Sequence, residues 1–167
     1  AAAPLFDEDN LGASKNPKLR IVQGDAYRTL LRSQGKFDLI VSEPSNPWVA
    51  GIEMLYSREF LAAARDSLNP GGVHAQWFHS YETDTATLAL ILRTYASVFD
   101  HAAIWFTVGS DLLLLGLTDP EAALDLDRLR QRFERPDFAA GFGRCNVKTF
   151  PALLAHEIVP VGVLAAA

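Results

Sequence analysis

The sequence predicts an α/β fold whose sheet is parallel in its first part and ends in an antiparallel hairpin. Three observations carry this. Apolar runs of strand length alternate with helix-length segments between Leu19 and Phe99, and that order builds a parallel sheet whose right-handed crossovers place helices on both faces. Phe37–Ser42 (FDLIVS) contains three consecutive apolar residues, the pattern of a strand covered on both faces. Two apolar runs then flank Gly109-Ser110, a pair suited to a type II′ hairpin turn.

Leu19–Val22 reads as a first short strand, stopped by Gln23-Gly24-Asp25, and Ala26–Arg32 as a helix that breaks near Gly35. After the strand Phe37–Ser42 comes a polar loop, Glu43–Met54. Ser57 is a suitable N-cap for a helix through Leu68, since its hydroxyl can accept a hydrogen bond from a free N–H of the first turn. Phe60, Leu61, Ala64 and Leu68 fall on one side of that helix. Asn69-Pro70-Gly71-Gly72 stops it, and Val73–Phe78 is the next strand. Thr83 or Asp84 opens a helix over Thr85–Phe99, where Leu88, Ile91, Leu92, Tyr95, Val98 and Phe99 form a single apolar stripe. Ala103–Val108 and Asp111–Leu117 make the hairpin. Asp119-Pro120-Glu121 starts a further helix, a cap followed by proline at the first helical position, and Pro136 ends it. Residues 1–135 are expected to form the α/β domain, and residues 136–167 an extension of short helices.

The bulk composition narrows the function. A chain of 167 residues holds one core. A net charge of −5 argues against a nucleic-acid partner, which calls for a basic face. The one cysteine, Cys145, rules out an internal disulfide, reads as a buried thiol, and fits a reducing, cytoplasmic setting. FDEDN follows the first alanines where a secretory signal would need an apolar run. His74 and His79 lack a third ligand at a metal-binding spacing, so no metal is expected and both read as core-edge or surface histidines. P-loop, GxGxxG, GxSxG and CxxC motifs do not occur.

In open α/β sheets ligands bind beyond the carboxyl ends of the strands. Here those ends carry Gln23–Ala26, Ser42–Trp48 and Gln76–Tyr81, the most polar and aromatic loops of the chain. Asp25 can accept from an exocyclic amine or a ribose hydroxyl, or cap the following helix, and the two roles are compatible. Glu43 is expected on the floor of the crevice, partly buried and able to take a proton from an amine. Asn46 can orient an amino group, Pro44 and Pro47 stiffen the loop, and Trp48 offers a face for a cation or a purine.

IVQGDAYRTLL, FDLIVSEPSNPW and LYSREFLAAARDSLNPGGVHAQWF together resemble the spermidine synthases, the polyamine aminopropyltransferases. The resemblance runs in collinear order over Pro17–Asp119. It implies the Rossmann-like class I methyltransferase fold, here a partial domain whose first strand and glycine-rich loop would precede Ala1, so that a fragment of a longer protein is expected. It also implies transfer of an aminopropyl group from decarboxylated S-adenosylmethionine to a small-molecule amine. By the same resemblance Asp25 and Ala26 hold the donor's adenine, Glu43 is the base, and Asn46, Pro47, Trp48, Gln76 and Tyr81 shape the acceptor site. The sequence departs from the family's D-x-x-D-P pattern at both acids, Glu43 and Asn46, and Gln76 stands one residue early. Exchanging a carboxylate for an amide removes one charge-assisted hydrogen bond, worth about 1.5–3 kcal/mol. Asn-Pro-aromatic also looks like the loop with which amino-group methyltransferases hold a target nitrogen. An N-methyltransferase using S-adenosylmethionine, and a non-catalytic domain that kept the fold, are therefore the alternatives. A homo-oligomer, and a membrane portion elsewhere in a longer chain, stay open.

Overall fold

The computed structural model describes residues 3–107, 109–119 and 125–164. Five strands make one sheet: β1 (Phe37–Ser42), β2 (Leu68–His79), β3 (His101–Phe106), β4 (Asp111–Leu117) and β5 (Glu157–Val159). They lie in the order β1-β2-β4-β3-β5. β1 and β2 run parallel, and the other three pairings are antiparallel. The expected sheet, parallel first and closed by an antiparallel hairpin, is therefore present. Helices α1 (Ala26–Arg32), α2 (Arg58–Asp66), α3 (Thr85–Ala96), α4 (Leu126–Phe133), α5 (Pro136–Arg144) and α6 (Phe150–Leu154) complete the chain.

Local sequence accounts for where the helices begin. Side chains of Asp25, Ser57, Asp84 and Asp125 accept from the N–H groups of Arg28, Phe60, Thr87 and Arg128, each satisfying a donor the helix itself cannot. The helix start expected at Asp119-Pro120-Glu121 falls partly on residues 120–124, outside the described residues.

The core forms where α2 and α3 pack on the sheet. Phe60, Leu61, Tyr95, Val98 and Phe99 meet Phe78, Ile104 and Leu114, and each such buried side chain contributes about 1.5–3 kcal/mol. Alternate positions of β2, His74, Gln76 and Phe78, are turned fully inward, as the two-residue period of a strand requires. Gly116 lets Phe99 lie against β4: a Cβ there would stand 2.4 Å from the Phe99 Cγ.

Several expectations need correction. Leu19–Val22 forms no strand, and Leu19, Ile21 and Val22 are exposed. A strand exists only through its partners, and no described strand pairs with this segment or with the outer edge of β1. β1 is also not covered on both faces: Ile40 packs against the core, but Leu39 and Val41 on the opposite face are 56% and 64% exposed. The Asn69–Gly72 stretch does more than end a helix. α2 stops at Asp66 and β2 starts at Leu68, with a register shift opposite Phe37/Leu39. Pro70 has no N–H for the ladder and Gly71 takes φ 76°, so the segment bulges inside the strand. Thr118 ties the bulge down, its Oγ1 lying 3.1 Å from the carbonyl oxygens of both Asn69 and Gly72.

α3 also ends early, at Ala96, but Val98 and Phe99 still donate backbone bonds to the Tyr95 carbonyl, so the apolar stripe reaches the core as expected. In the hairpin, β3 spans His101–Phe106 and pairs Phe106 with Leu112, a register that leaves more than a two-residue Gly-Ser turn. Val108 lies outside the described residues. Past Asp137 the expected short helices are α5 and α6; β5, which adds to β3, had no clear sequence signal. Cys145 is exposed, not buried, because it sits just past the end of α5.

Candidate active site

Parallel pairing of β1 and β2 brings their carboxyl ends side by side, with Ser42 opposite Gln76. The loops that leave these ends, Glu43–Trp48 and Ser80–Thr83, therefore meet. Asn46 Nδ2 donates to the Tyr81 hydroxyl at 2.8 Å, and Trp48 meets the Tyr81 ring edge-on at 6.2 Å between centroids. Asn46 Oδ1 is buried without a hydrogen-bond partner. Five predicted residues, Asn46, Pro47, Trp48, Gln76 and Tyr81, thus gather at one corner of the sheet.

Beside this corner lies a cavity of about 700 Å³, between the segment leading into α2 and one side of α3, from Thr87 to Thr94. Pro47, Trp48 and Tyr56 form part of its wall, and Glu53, Glu59, Glu82 and Asp84 give it a carboxylate-rich lining against one cation, Arg58. Asp84 is held below the usual carboxylate range, chiefly by the backbone N–H of Thr87, which it caps. Volume, aromatic surface and negative charge together suit an elongated cation.

Gln76 is 1% exposed, and neither its Oε1 nor its Nε2 has a hydrogen-bond partner. Leaving a buried amide atom unpaired costs about 1–3 kcal/mol, and such a group calls for a functional explanation. Tyr56 stands between it and the cavity, and burial pushes the phenol up to about 12. At the end of β2, His79 Nδ1 lies 3.1 Å from Asp111 Oδ1 and 3.4 Å from the Trp77 indole nitrogen. The shorter contact, to a carboxylate, decides the tautomer: Nδ1 carries the proton and donates to Asp111. His74, by contrast, is a core residue.

Of the eight predicted residues, Pro47 and Trp48 line the cavity itself, Asn46, Gln76 and Tyr81 stand at the corner beside it, and Asp25, Ala26 and Glu43 are exposed outside it. Asp25 and Ala26 are exposed at the start of α1, where Asp25 Oδ1 accepts from Arg28 N–H at 2.8 Å. Capping occupies one carboxylate oxygen and leaves a second acceptor. Glu43 is exposed instead of lying on a crevice floor. Strand alternation turns Ser42 inward and so Glu43 outward, on the sheet's edge strand. Sequence reasoning missed Tyr56 and the carboxylates Glu53, Glu59, Glu82 and Asp84. Tyr56 lies just before a helix cap with no motif to single it out, and the acids are brought together by two segments distant in the chain.

Comparisons with known proteins bear on the fold and the family. A family model described as the spermine/spermidine synthase domain matches residues 5–110, more than half the chain. The polyamine aminopropyltransferase 1 of Pseudomonas aeruginosa is 29% identical over 143 residues, covering 81% of this chain and 50% of that protein. The polyamine aminopropyltransferase of Pseudomonas syringae is 31% identical over 129 residues, covering 73% and 45%. The chain thus spans about half the length of the curated relatives it matches. A crystal structure of a spermidine synthase with the transition state analogue AdoDATO superposes with a TM-score of 0.73 at 17% identity, over 95% of this chain and 54% of that one. The spermidine synthase of Thermotoga maritima gives 0.66 at 17% identity, over 95% and 52%. The fold is that of these enzymes, and the chain belongs to the spermine/spermidine synthase domain family.

Proposed function

We propose that the protein bearing this chain moves an aminopropyl group from decarboxylated S-adenosylmethionine to a linear amine. The observation that carries this reading is the acid-lined, aromatic cavity beside the Asn46–Tyr81 hydrogen bond. Carboxylates and a tryptophan face attract an alkylammonium chain, and an amide fixed by a phenol can orient its reacting nitrogen. The relatives' name, polyamine aminopropyltransferase, supports the aminopropyl over the methyl reading.

The chemistry is a displacement at carbon. An amine nitrogen, once deprotonated, attacks the aminopropyl carbon bonded to the donor's sulfonium. The C–S bond breaks, its electron pair returns to sulfur, and a neutral thioether leaves. The proton goes to Glu43, which accepts it when the bound substrates cover the otherwise exposed carboxylate. Asn46 orients the nitrogen, and Asp25 with the backbone of Ala26 holds the adenine. No step calls for a metal.

The test uses the intact protein. Product analysis by mass spectrometry after incubation with the donor and a panel of amines is expected to show an amine heavier by one aminopropyl group. Glu43→Gln should lower kcat by about 10²–10⁴-fold, the usual worth of a general base, with little effect on donor affinity by calorimetry. Absence of the aminopropylated amine, or wild-type turnover by the glutamine variant, would overturn the respective claims.

A further inference from the structure

Tyr56 ends a short 3-10 turn, Glu53–Tyr56, just ahead of α2. Its side chain is 8% exposed and borders two spaces at once. One is the acid-lined cavity; the other is a tight internal gap shared with Gln76, Ile91 and Tyr95. That gap has no room for a water-sized sphere, yet it is lined by Gln76, both of whose amide atoms are buried without partners. Water therefore cannot satisfy the amide in this arrangement. Among the described residues, Tyr56 and Ile91 alone border both spaces, so they form the partition.

The partition is weakly latched. The Tyr56 hydroxyl lies 3.2 Å from the Ser45 carbonyl and 3.5 Å from that of Trp77, and its one proton serves only one of these long contacts. Both acceptors matter in position: Ser45 belongs to the Glu43–Trp48 loop, and Trp77 adjoins Gln76. An amide that is buried, unpaired and closed off from water gains most if the partition moves.

We propose that Tyr56 is the gate of the acceptor site. An amine entering the cavity displaces its ring, and the Gln76 amide then accepts a hydrogen bond from the amine. Tyr56 is thus a positioning residue: it sets which fraction of molecules presents Gln76, and the apparent amine affinity is reduced by that fraction. The inference rests on the acceptor reading of the cavity given above.

The experiment places 3-fluorotyrosine at position 56 of the intact protein and follows its fluorine resonance while putrescine, then spermidine, is titrated. Calorimetry on the same samples reports binding independently. The expected result is amine binding accompanied by a shift of the resonance with the same midpoint, and loss of that shift in Gln76→Leu. Binding with an unmoved resonance, or an equal shift in Gln76→Leu, overturns the gate and leaves the acceptor reading standing. Failure of both amines to bind overturns the acceptor reading and the gate with it. Tyr56→Phe gives a second measure. It removes the latch but keeps the ring, so amine affinity should tighten by about threefold to tenfold, whereas a merely structural tyrosine would give unchanged or weaker binding and so defeat the proposal.

Discussion

His74 illustrates how a titratable side chain becomes part of a core. Its ring stacks on Phe99 at 5.3 Å and 4°, and its Nδ1 lies 3.1 Å from the Tyr95 hydroxyl. That hydroxyl in turn is within 3.0 Å of the His74 carbonyl and 3.1 Å of the Leu114 carbonyl. The arrangement closes if Nδ1–H donates to Tyr95 and Tyr95 donates to a carbonyl. Nε2 is then left as a bare acceptor without a partner, cheaper than an unpaired N–H. Burial lowers the imidazole from 6.5 to about 4. The unfolded chain therefore takes up this proton first as pH falls. Stability from this group is complete above pH 6.5, declines towards about pH 4, and is lost below it, for a total of up to ~3 kcal/mol. Urea unfolding across that range should show the decline, and His74→Gln should flatten this part of it; an unchanged pH profile in the variant would contradict the assignment. Asn46 and Trp48 could be picked out from sequence, since an amide between two prolines, followed at once by an indole, stands out at a strand end. Tyr56 could not, because its importance comes from standing between two spaces that only packing creates.

Ser57 has a comparable role for a helix. Its hydroxyl accepts from Phe60 N–H at 3.2 Å and donates to the Met54 carbonyl at 2.7 Å, joining the turn that carries Tyr56 to the first turn of α2. Ser57→Ala should cost about 1 kcal/mol, read as a lower urea midpoint with an unchanged m-value. A loss within error would mean that backbone and water satisfy those groups equally well. Helices were read well from sequence because caps and stripes are local: Ala26–Arg32 has the expected bounds, and α2 and α3 begin at their expected caps. Strands were read less well, since a strand needs a neighbour. Leu19–Val22 has the composition of a strand and no partner among the described residues, while β5, three residues long, gains its identity only from β3.

Sheet order shows the same division between local and distant information. The β3–β4 hairpin could be inferred from its turn, but the insertion of β4 between β2 and β3 could not, because that choice depends on which edge β2 leaves free. The order fixes where the molecule opens. β2, β4 and β3 each have neighbours on both sides, with β4 between the longest ladders, whereas among the described residues β1 is paired on one edge alone. Amide exchange follows the cost of breaking such pairings. Hydrogen exchange measured by NMR on this chain should therefore be slowest in β2 and β4. In β1, alternate amides should be protected, those that point to β2, while their neighbours exchange freely. Leu19–Val22 should exchange at the rate of unprotected backbone. Protection of Leu19–Val22 matching that of β4 would place the segment in a sheet, and the edge position of β1 would then have to be abandoned.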